Sequence, residues 1–336
     1  MPNTRFKLNT GAEIPGMGFG TWQDEKAQED AVVEAIKVGY RHIDTAVIYG
    51  TEKHVGRAVK RAGVPRDQLF ITTKLWNNSK HPDDVPKAFE NSLKELQMDY
   101  VDLFLIHWPV AWKRGPDVMP KDANGNMIME NIDNVDTYRA MEKIYHSGKA
   151  KAIGVSNFSK AEMEHLLKNC SVPPAVHQLE CHPWLQQQEF TEWLKGKGIH
   201  VTHYSALGNQ NEIYGSAGQK LGKLIDEPIL AEIGKKYGKS PPQVAIGKHL
   251  LYGIMTRVDV ILALTGRFTP AWGITQGHSV LSKSKTPSRV RANFEGDFKL
   301  DEDDMNKIKT MNKKLRFNDS SGDFGRDFFQ DLEPNI

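Results

Sequence analysis

Eight short apolar runs, each followed by a longer amphipathic stretch, constrain this chain more than any other feature. They are Gly16–Gly20, His42–Ala46, Phe70–Leu75, Val101–His107, Ala150–Asn157, Ala175–His182, His200–Leu207 and His278–Ser284. Most are nearly continuous in apolar residues, as expected of strands buried on both faces. Between them, Gln28–Val38 sets Ala31, Val32, Ala35 and Ile36 on one helical face. Pro86–Leu96 does the same with Ala88, Phe89, Leu93 and Leu96, and Ala161–Leu167 and Glu189–Leu194 are shorter examples. The alternation predicts an α/β fold, either a closed (β/α)8 TIM barrel or a doubly wound sheet. Units of about 30–40 residues continue across most of the chain, as βα units do. Polar residues fall at or just past the ends of many different runs: Thr21, Asp44, Lys74, His107, Asn157, Gln178, Ser205 and Lys283. A barrel assembles its site from such strand ends; a doubly wound sheet gathers ligand contacts at one switch point. The expected fold is therefore a single barrel domain over residues 1–336. Phe6–Leu8 and Glu13–Pro15, flanking Asn9-Thr10-Gly11, predict an N-terminal β-hairpin that caps the barrel floor.

Two connections, Pro109–Asp133 and Gly208–Glu227, are too long for ordinary turns and read as lids on the substrate side. The tail Phe317–Ile336 interleaves Asp323 and Asp327 with Phe324, Phe328 and Phe329, enough aromatic surface to pack over something. Charge is balanced, with 44 Lys+Arg against 42 Asp+Glu, which argues against a nucleic-acid partner. The two cysteines, Cys170 and Cys181, make no disulfide framework and suit a reducing compartment. Met1–Arg5 is followed by no apolar run, and no segment approaches the roughly 20 apolar residues of a membrane span. A cytoplasmic protein without a membrane partner is expected. His177, Cys181 and His182 cluster in sequence, but one thiol at strand spacing reads as packing, so no metal is expected.

Charged side chains at the ends of buried strands are paired or functional. Asp44, Lys74 and His107 hold such positions, and Tyr49 lies five residues beyond Asp44. Each alone is compatible with a structural ion pair or a capped imidazole. Together they suggest a proton donor. A phenol titrating near pH 10 is a poor acid at neutral pH. A neighbouring ammonium favours the phenolate, a carboxylate fixes the ammonium, and an imidazole can orient a carbonyl oxygen.

These segments resemble the aldo-keto reductase family. The resemblance is carried by Gly18-Phe19-Gly20-Thr21-Trp22, Gly39-Tyr40-Arg41-His42-Ile43-Asp44-Thr45-Ala46, Tyr49-Gly50, Ile71-Thr72-Thr73-Lys74-Leu75-Trp76 and Asp102-Leu103-Phe104-Leu105-Ile106-His107-Trp108-Pro109. It continues through Ile153-Gly154-Val155-Ser156-Asn157-Phe158 and Lys283-Ser284 with Thr286-Pro287-Ser288-Arg289 and Asn293, so it spans nearly the whole chain in order. The chain is most similar in flavour to fungal NADP-linked aldehyde reductases and glycerol dehydrogenases. The resemblance implies Tyr49 as general acid, Lys74 lowering its pKa, Asp44 pairing with Lys74, and His107 positioning the carbonyl. It implies an NADPH/NADP+ cofactor with Tyr204 stacked on the nicotinamide and Ser156, Asn157 and Gln178 on its carboxamide. Ser205, Leu207 and Asn209 follow the pyrophosphate, Gly20, Thr21 and Asp44 complete the cofactor side, and Asn293 lies by the adenine. Lys283, Ser284 and Arg289 match the 2′-phosphate positions, where the guanidinium fork suits a dianion. Trp22, Trp76 and Trp108 resemble an aromatic wall around a small carbonyl substrate. No Gly-x-Gly-x-x-Gly is present, which also favours a barrel over a dinucleotide-binding sheet.

The implied activity is NADPH-dependent reduction of aldehydes and some ketones by a monomer. Narrower alternatives are glycerol/glyceraldehyde or pentose (xylose-type) reduction; a different one is a cofactor-binding regulatory module. One departure opens a third. Family members run from Ser-Pro-x-Gln-Val-Ala into Ala-Trp-Gly, but here the 24 residues Gly247–Pro270 separate Ser240–Ile246 from Ala271–Ile274. Gly247-Lys248 can be encoded with a donor-like GTAAG and Pro270-Ala271 with an acceptor-like CAG, so a retained intron, with an inactive product, is one reading. A true insertion outside the barrel is the other.

Overall fold

The computed structural model describes residues 4–22, 25–208, 222–246, 277–295 and 300–332. The insertion Gly247–Pro270, most of the loop Gly208–Glu227, and Asn209 lie outside these residues. The strands are β1 (Arg5–Lys7), β2 (Glu13–Pro15), β3 (Met17–Gly20), β4 (His42–Asp44), β5 (Phe70–Leu75), β6 (Leu103–Ile106), β7 (Ile153–Ser156), β8 (Val176–Glu180), β9 (His200–Tyr204) and β10 (Ser279–Ser282). Strands β3 to β10 close into a parallel barrel in which β10 pairs with both β9 and β3. Almost every residue of these strands is buried, which is why the sequence runs are apolar throughout rather than alternating.

The helices pack outside. Helix α1 (Glu25–Val38) buries Ala31, Val32, Ala35 and Ile36, and α3 (Val85–Leu96) buries Phe89, Leu93 and Leu96, with Ala88 only half-buried. Between them lies α2 (Glu52–Ala62). Helix α4 (Asn134–His146) is capped by Asp133, which accepts from the Val135 N–H. Helix α5 (Lys160–Asn169) opens with a full capping box between Ser159 and Glu162. The hairpin β1–β2 is antiparallel and seals the floor. Its Leu8 and Ile14 are buried with Phe70, Leu103, Leu105, Ala152, Ala175 and Val176, in or just before the first three residues of β5 to β8.

Strands β3 and β5 end where the predicted runs do, at Gly20 and Leu75; the other six stop short of them at their C-terminal ends. Strand β7 ends at Ser156 and β9 at Tyr204, and the next residues, Asn157 and Ser205, hold left-handed φ values of 61° and 51°. That backbone is uncommon outside glycine and marks where the chain leaves the ladder to turn side chains over the barrel mouth.

Candidate active site

A cavity of about 330 Å³ opens at the C-terminal ends of the strands. That is within the size range of small-molecule sites. Its wall includes Gly20, Thr21, Trp22, Asp44, Tyr49, Trp76, His107, Trp108, Ser156, Asn157, Gln178, Tyr204, Ser205, Leu207 and Lys283 from the sequence-predicted set. Lys74 is not in the wall itself but bonds to Asp44, which is.

The floor is built from three successive strands. Asp44 ends β4, and a single 3-10 turn, Val47–Tyr49, carries Tyr49 back toward the axis. Gly50, at φ 66°, closes that turn with its N–H on the Val47 carbonyl. Lys74, on β5, is wholly buried, and a buried ammonium needs partners. Its Nζ donates to Asp44 Oδ1 at 2.5 Å and to the Thr45 carbonyl at 2.9 Å. It also sits 5.1 Å from the centre of the Tyr49 ring. Burial pulls the Lys74 pKa below the usual lysine range, while Asp44 and Glu52 pull it back. The other oxygen of Asp44 accepts from Gln178 Nε2 at 2.8 Å, so both carboxylate oxygens are engaged.

His107 follows β6. Its Nε2 lies 3.5 Å from the Tyr49 hydroxyl. Burial, with Lys74 and Lys80 adding like charge, holds its pKa well below the ordinary histidine value. The ring is therefore neutral near pH 7. Two backbone bonds fix it: its N–H donates to the Leu75 carbonyl at 3.2 Å, and its carbonyl accepts from Asn157 Nδ2 at 3.0 Å. Asn157 Oδ1 accepts from the Tyr204 hydroxyl at 2.6 Å. Buried His107 Nδ1 and Ser156 Oγ have no protein partner. Orphaned polar atoms in a cavity wall fit a polar group brought by a ligand.

The far edge belongs to β9 and β10. Tyr204 to Gly208 and Leu281 to Lys283 line it. Ser284 accepts from the Thr286 N–H at 3.1 Å at the start of the helix Pro287–Phe294, which carries exposed Arg289 and buried Asn293. These three lie beyond the cavity wall rather than in it.

The opposite side is aromatic. Trp76, Trp108 and Trp112 are buried with Phe324, Phe328 and Phe329 of the tail. Phe324 packs edge-on against Trp112 at 4.8 Å and Trp108 at 5.2 Å between ring centres. Trp22, by contrast, is 37% exposed at the rim. The loop between Pro109 and Asp133 folds on itself through the bridges Trp112–Met129 and Lys121–Met127. Trp76 Nε1 donates to its Val118 carbonyl at 2.7 Å.

Several wall residues carry no sequence signal, among them Ile48, Asn318 and Ser320. Thr51 is equally silent, yet it links Thr21 and Thr45 into a hydroxyl chain beside the Asp44–Lys74 pair, with Oγ1 atoms 3.1 and 3.0 Å apart. His177, Cys181 and His182 each bond elsewhere, to the Phe158 carbonyl, the Gln186 carbonyl and Glu180. Among the described residues no group of three or more His, Cys, Asp or Glu side chains is placed to hold a metal, and no helix is long and apolar enough to cross a membrane.

Residues 16–313 match the model of the aldo/keto reductase family. An uncharacterized oxidoreductase of Schizosaccharomyces pombe is 43% identical over 95% of this chain and 92% of its own. The human protein named aldo-keto reductase family 1 member A1 is 36% identical over 92% of this chain and 90% of its own. A solved structure of the aldose reductase from Schistosoma japonicum superposes with a TM-score of 0.82 at 32% identity, covering 97% of this chain and 98% of that one.

Proposed function

The chain belongs to the aldo/keto reductase family of oxidoreductases, and on that footing we propose that it reduces aldehydes, and some ketones, with NADPH. One observation carries this reading: a buried Lys74–Asp44 pair lies under Tyr49, whose hydroxyl is 3.5 Å from a neutral His107, at the bottom of the cavity. That arrangement is suited to giving a proton to a carbonyl oxygen.

The orphaned Ser156 hydroxyl supports a ligand amide there. Ser156, Asn157 and Gln178 would hold the nicotinamide carboxamide, Tyr204 its ring, and Ser205 and Leu207 the pyrophosphate, with Asn209 beyond them. Lys283, Ser284 and Arg289 would hold the 2′-phosphate, with Asn293 by the adenine. When bound, the reduced nicotinamide supplies the hydride. The protein supplies the proton and the geometry. Tyr49 hands its hydroxyl proton to the substrate oxygen. The Lys74 ammonium stabilises the phenolate left behind, and Asp44 keeps that ammonium charged in a site where burial opposes it. His107, neutral, polarises the carbonyl through an N–H and fixes its direction. Trp76, Trp108 and Phe324 exclude water, which strengthens each of these interactions. In the same reading the enzyme works in the cytoplasm as a monomer, and its near-neutral charge supports a small-molecule partner rather than nucleic acid.

The test is NADPH oxidation, followed by its near-ultraviolet absorbance, with 4-nitrobenzaldehyde as substrate and Tyr49→Phe alongside. Turnover by the natural chain and a loss of at least about 10²-fold in kcat in the variant, with NADPH still bound, is expected. Equal turnover in both would remove Tyr49 as the acid.

A further inference from the structure

The segment that carries Trp108 into the cavity wall is gripped just beyond it, at the carbonyl of Pro109. Two donors meet there. Asn134 Nδ2, at the start of α4, donates from one side at 3.1 Å. Arg326 Nη1, from the tail, donates from the other. Neither donor stands loose. Asn134 Oδ1 accepts from the buried Lys80 Nζ at 2.7 Å. Arg326 Nη2 donates to Glu162 Oε1, and Glu162 Oε2 accepts from the Ser159 N–H at 2.8 Å in the capping box of α5. The guanidinium also lies 5.7 Å from the centre of the Phe328 ring, which itself packs on Trp108 at 5.2 Å. One arginine thus joins the tail, the first residue of the long loop and the start of α5.

We propose that Arg326 is a positioning residue: by clamping the Pro109 carbonyl to Glu162 it sets the place of the Trp108 side chain in the substrate wall. The inference rests on the reductase reading for its kinetic consequence but not for the clamp itself. His107 is held by its own two backbone bonds, to Leu75 and Asn157, so releasing Pro109 moves Trp108 and leaves His107 in place. The consequence is a change in substrate affinity rather than in the chemical step. A charge-assisted, two-pronged arginine contact fixes direction as well as distance, and lysine can replace only one prong.

The experiment compares the natural chain with Arg326→Ala and Arg326→Lys. Hydrogen exchange of the peptides spanning residues 107–116 and 321–332 is measured without any ligand. Kinetics follow with 4-nitrobenzaldehyde and with the much smaller propanal, together with NADPH affinity by fluorescence titration. Arg326→Ala is expected to speed exchange in both peptides. It should raise KM for 4-nitrobenzaldehyde roughly ten-fold, with kcat and the NADPH Kd within about two-fold, and leave propanal nearly unchanged. Arg326→Lys should recover part of the KM. Unchanged exchange in Arg326→Ala overturns the clamp. Faster exchange with an unchanged KM, or an equal KM rise for both aldehydes, overturns its role in positioning the wall. If the natural chain reduces neither aldehyde while exchange still accelerates in Arg326→Ala, the reductase reading fails and the clamp stands.

Discussion

The floor and the rim of the cavity are built on opposite plans. The floor takes Asp44, Tyr49, Lys74 and His107 from three neighbouring strands and the turns after them, and each charge on it is matched by a hydrogen bond within the barrel. The rim takes Trp108 and Trp112 from a loop start and Phe324, Phe328 and Phe329 from a tail some 200 residues later. Its cohesion is apolar contact with few polar ties. The difference teaches a division of labour: a rigid, hydrogen-bonded floor suits proton transfer, while a rim of packed rings suits selection of what reaches it. Perturbing either should therefore leave a distinct signature.

The largest effect is expected on the floor. In Asp44→Asn the Lys74 ammonium loses its ion-pair partner at 2.5 Å, and burial drives it toward the neutral amine. The variant should lose about 10²–10³-fold in kcat, with KM changed little, as read from steady-state rates. Retained kcat would place the proton source elsewhere.

Acid should break the barrel beneath the floor before it disperses the rim. Burial holds His42 and His200 at about 3 and His177 at about 4, against an ordinary 6.5. Each is neutral when folded and takes a proton when unfolded, so its contribution is complete above pH 6.5 and is lost as pH falls toward 3–4. Each histidine puts a few kcal/mol at stake. Urea midpoints should fall steadily from pH 7 to pH 4, and a flat profile would mean these imidazoles are not buried neutral.

Phe324→Ala acts on the rim. It removes a ring touching Trp76, Trp108 and Trp112. KM for 4-nitrobenzaldehyde should rise roughly ten-fold with kcat within about three-fold, and the melting midpoint should drop, since a large-to-small change leaves a cavity.

The smallest effect concerns neither region. The stretch Gly247–Pro270 contains the apolar run Val260–Leu264 in a place where the sequence pattern asks for a continuous helix. Deleting those residues should raise the melting midpoint by roughly 2–4 °C and leave kcat and KM unchanged. An equal or lower midpoint would show the segment to be an integrated part of the fold, and genomic sequence without splice signals would dispose of the intron reading.

Much of the floor was legible because a barrel leaves its chemistry at strand ends, and a lysine or aspartate ending an apolar run is costly enough to be conspicuous. Lys74 and Asp44 are the clearest cases. The hairpin under the barrel was equally plain, since Asn9-Thr10-Gly11 sits between two short strand-like runs. The rim was only half legible. The tail's phenylalanines announced that it packs, but nothing in their order says that Phe324 meets Trp108, because contacts across so many residues have no local signature. Asn318 and Ser320 were silent for the same reason. Strand ends were overrun by up to three residues, as at His200–Leu207, because a left-handed Ser205 looks no different in sequence from an extended one.

The independence of floor and rim is tested most directly by a double-mutant cycle on kcat/KM using Asp44→Asn, Phe324→Ala and the combined variant. Side chains that share no partner should act additively, so the double variant is expected to match the sum of the two singles to within about 0.5 kcal/mol. A coupling above roughly 1 kcal/mol would mean that the packed rings hold the proton-transfer geometry themselves, and the division between floor and rim would fail.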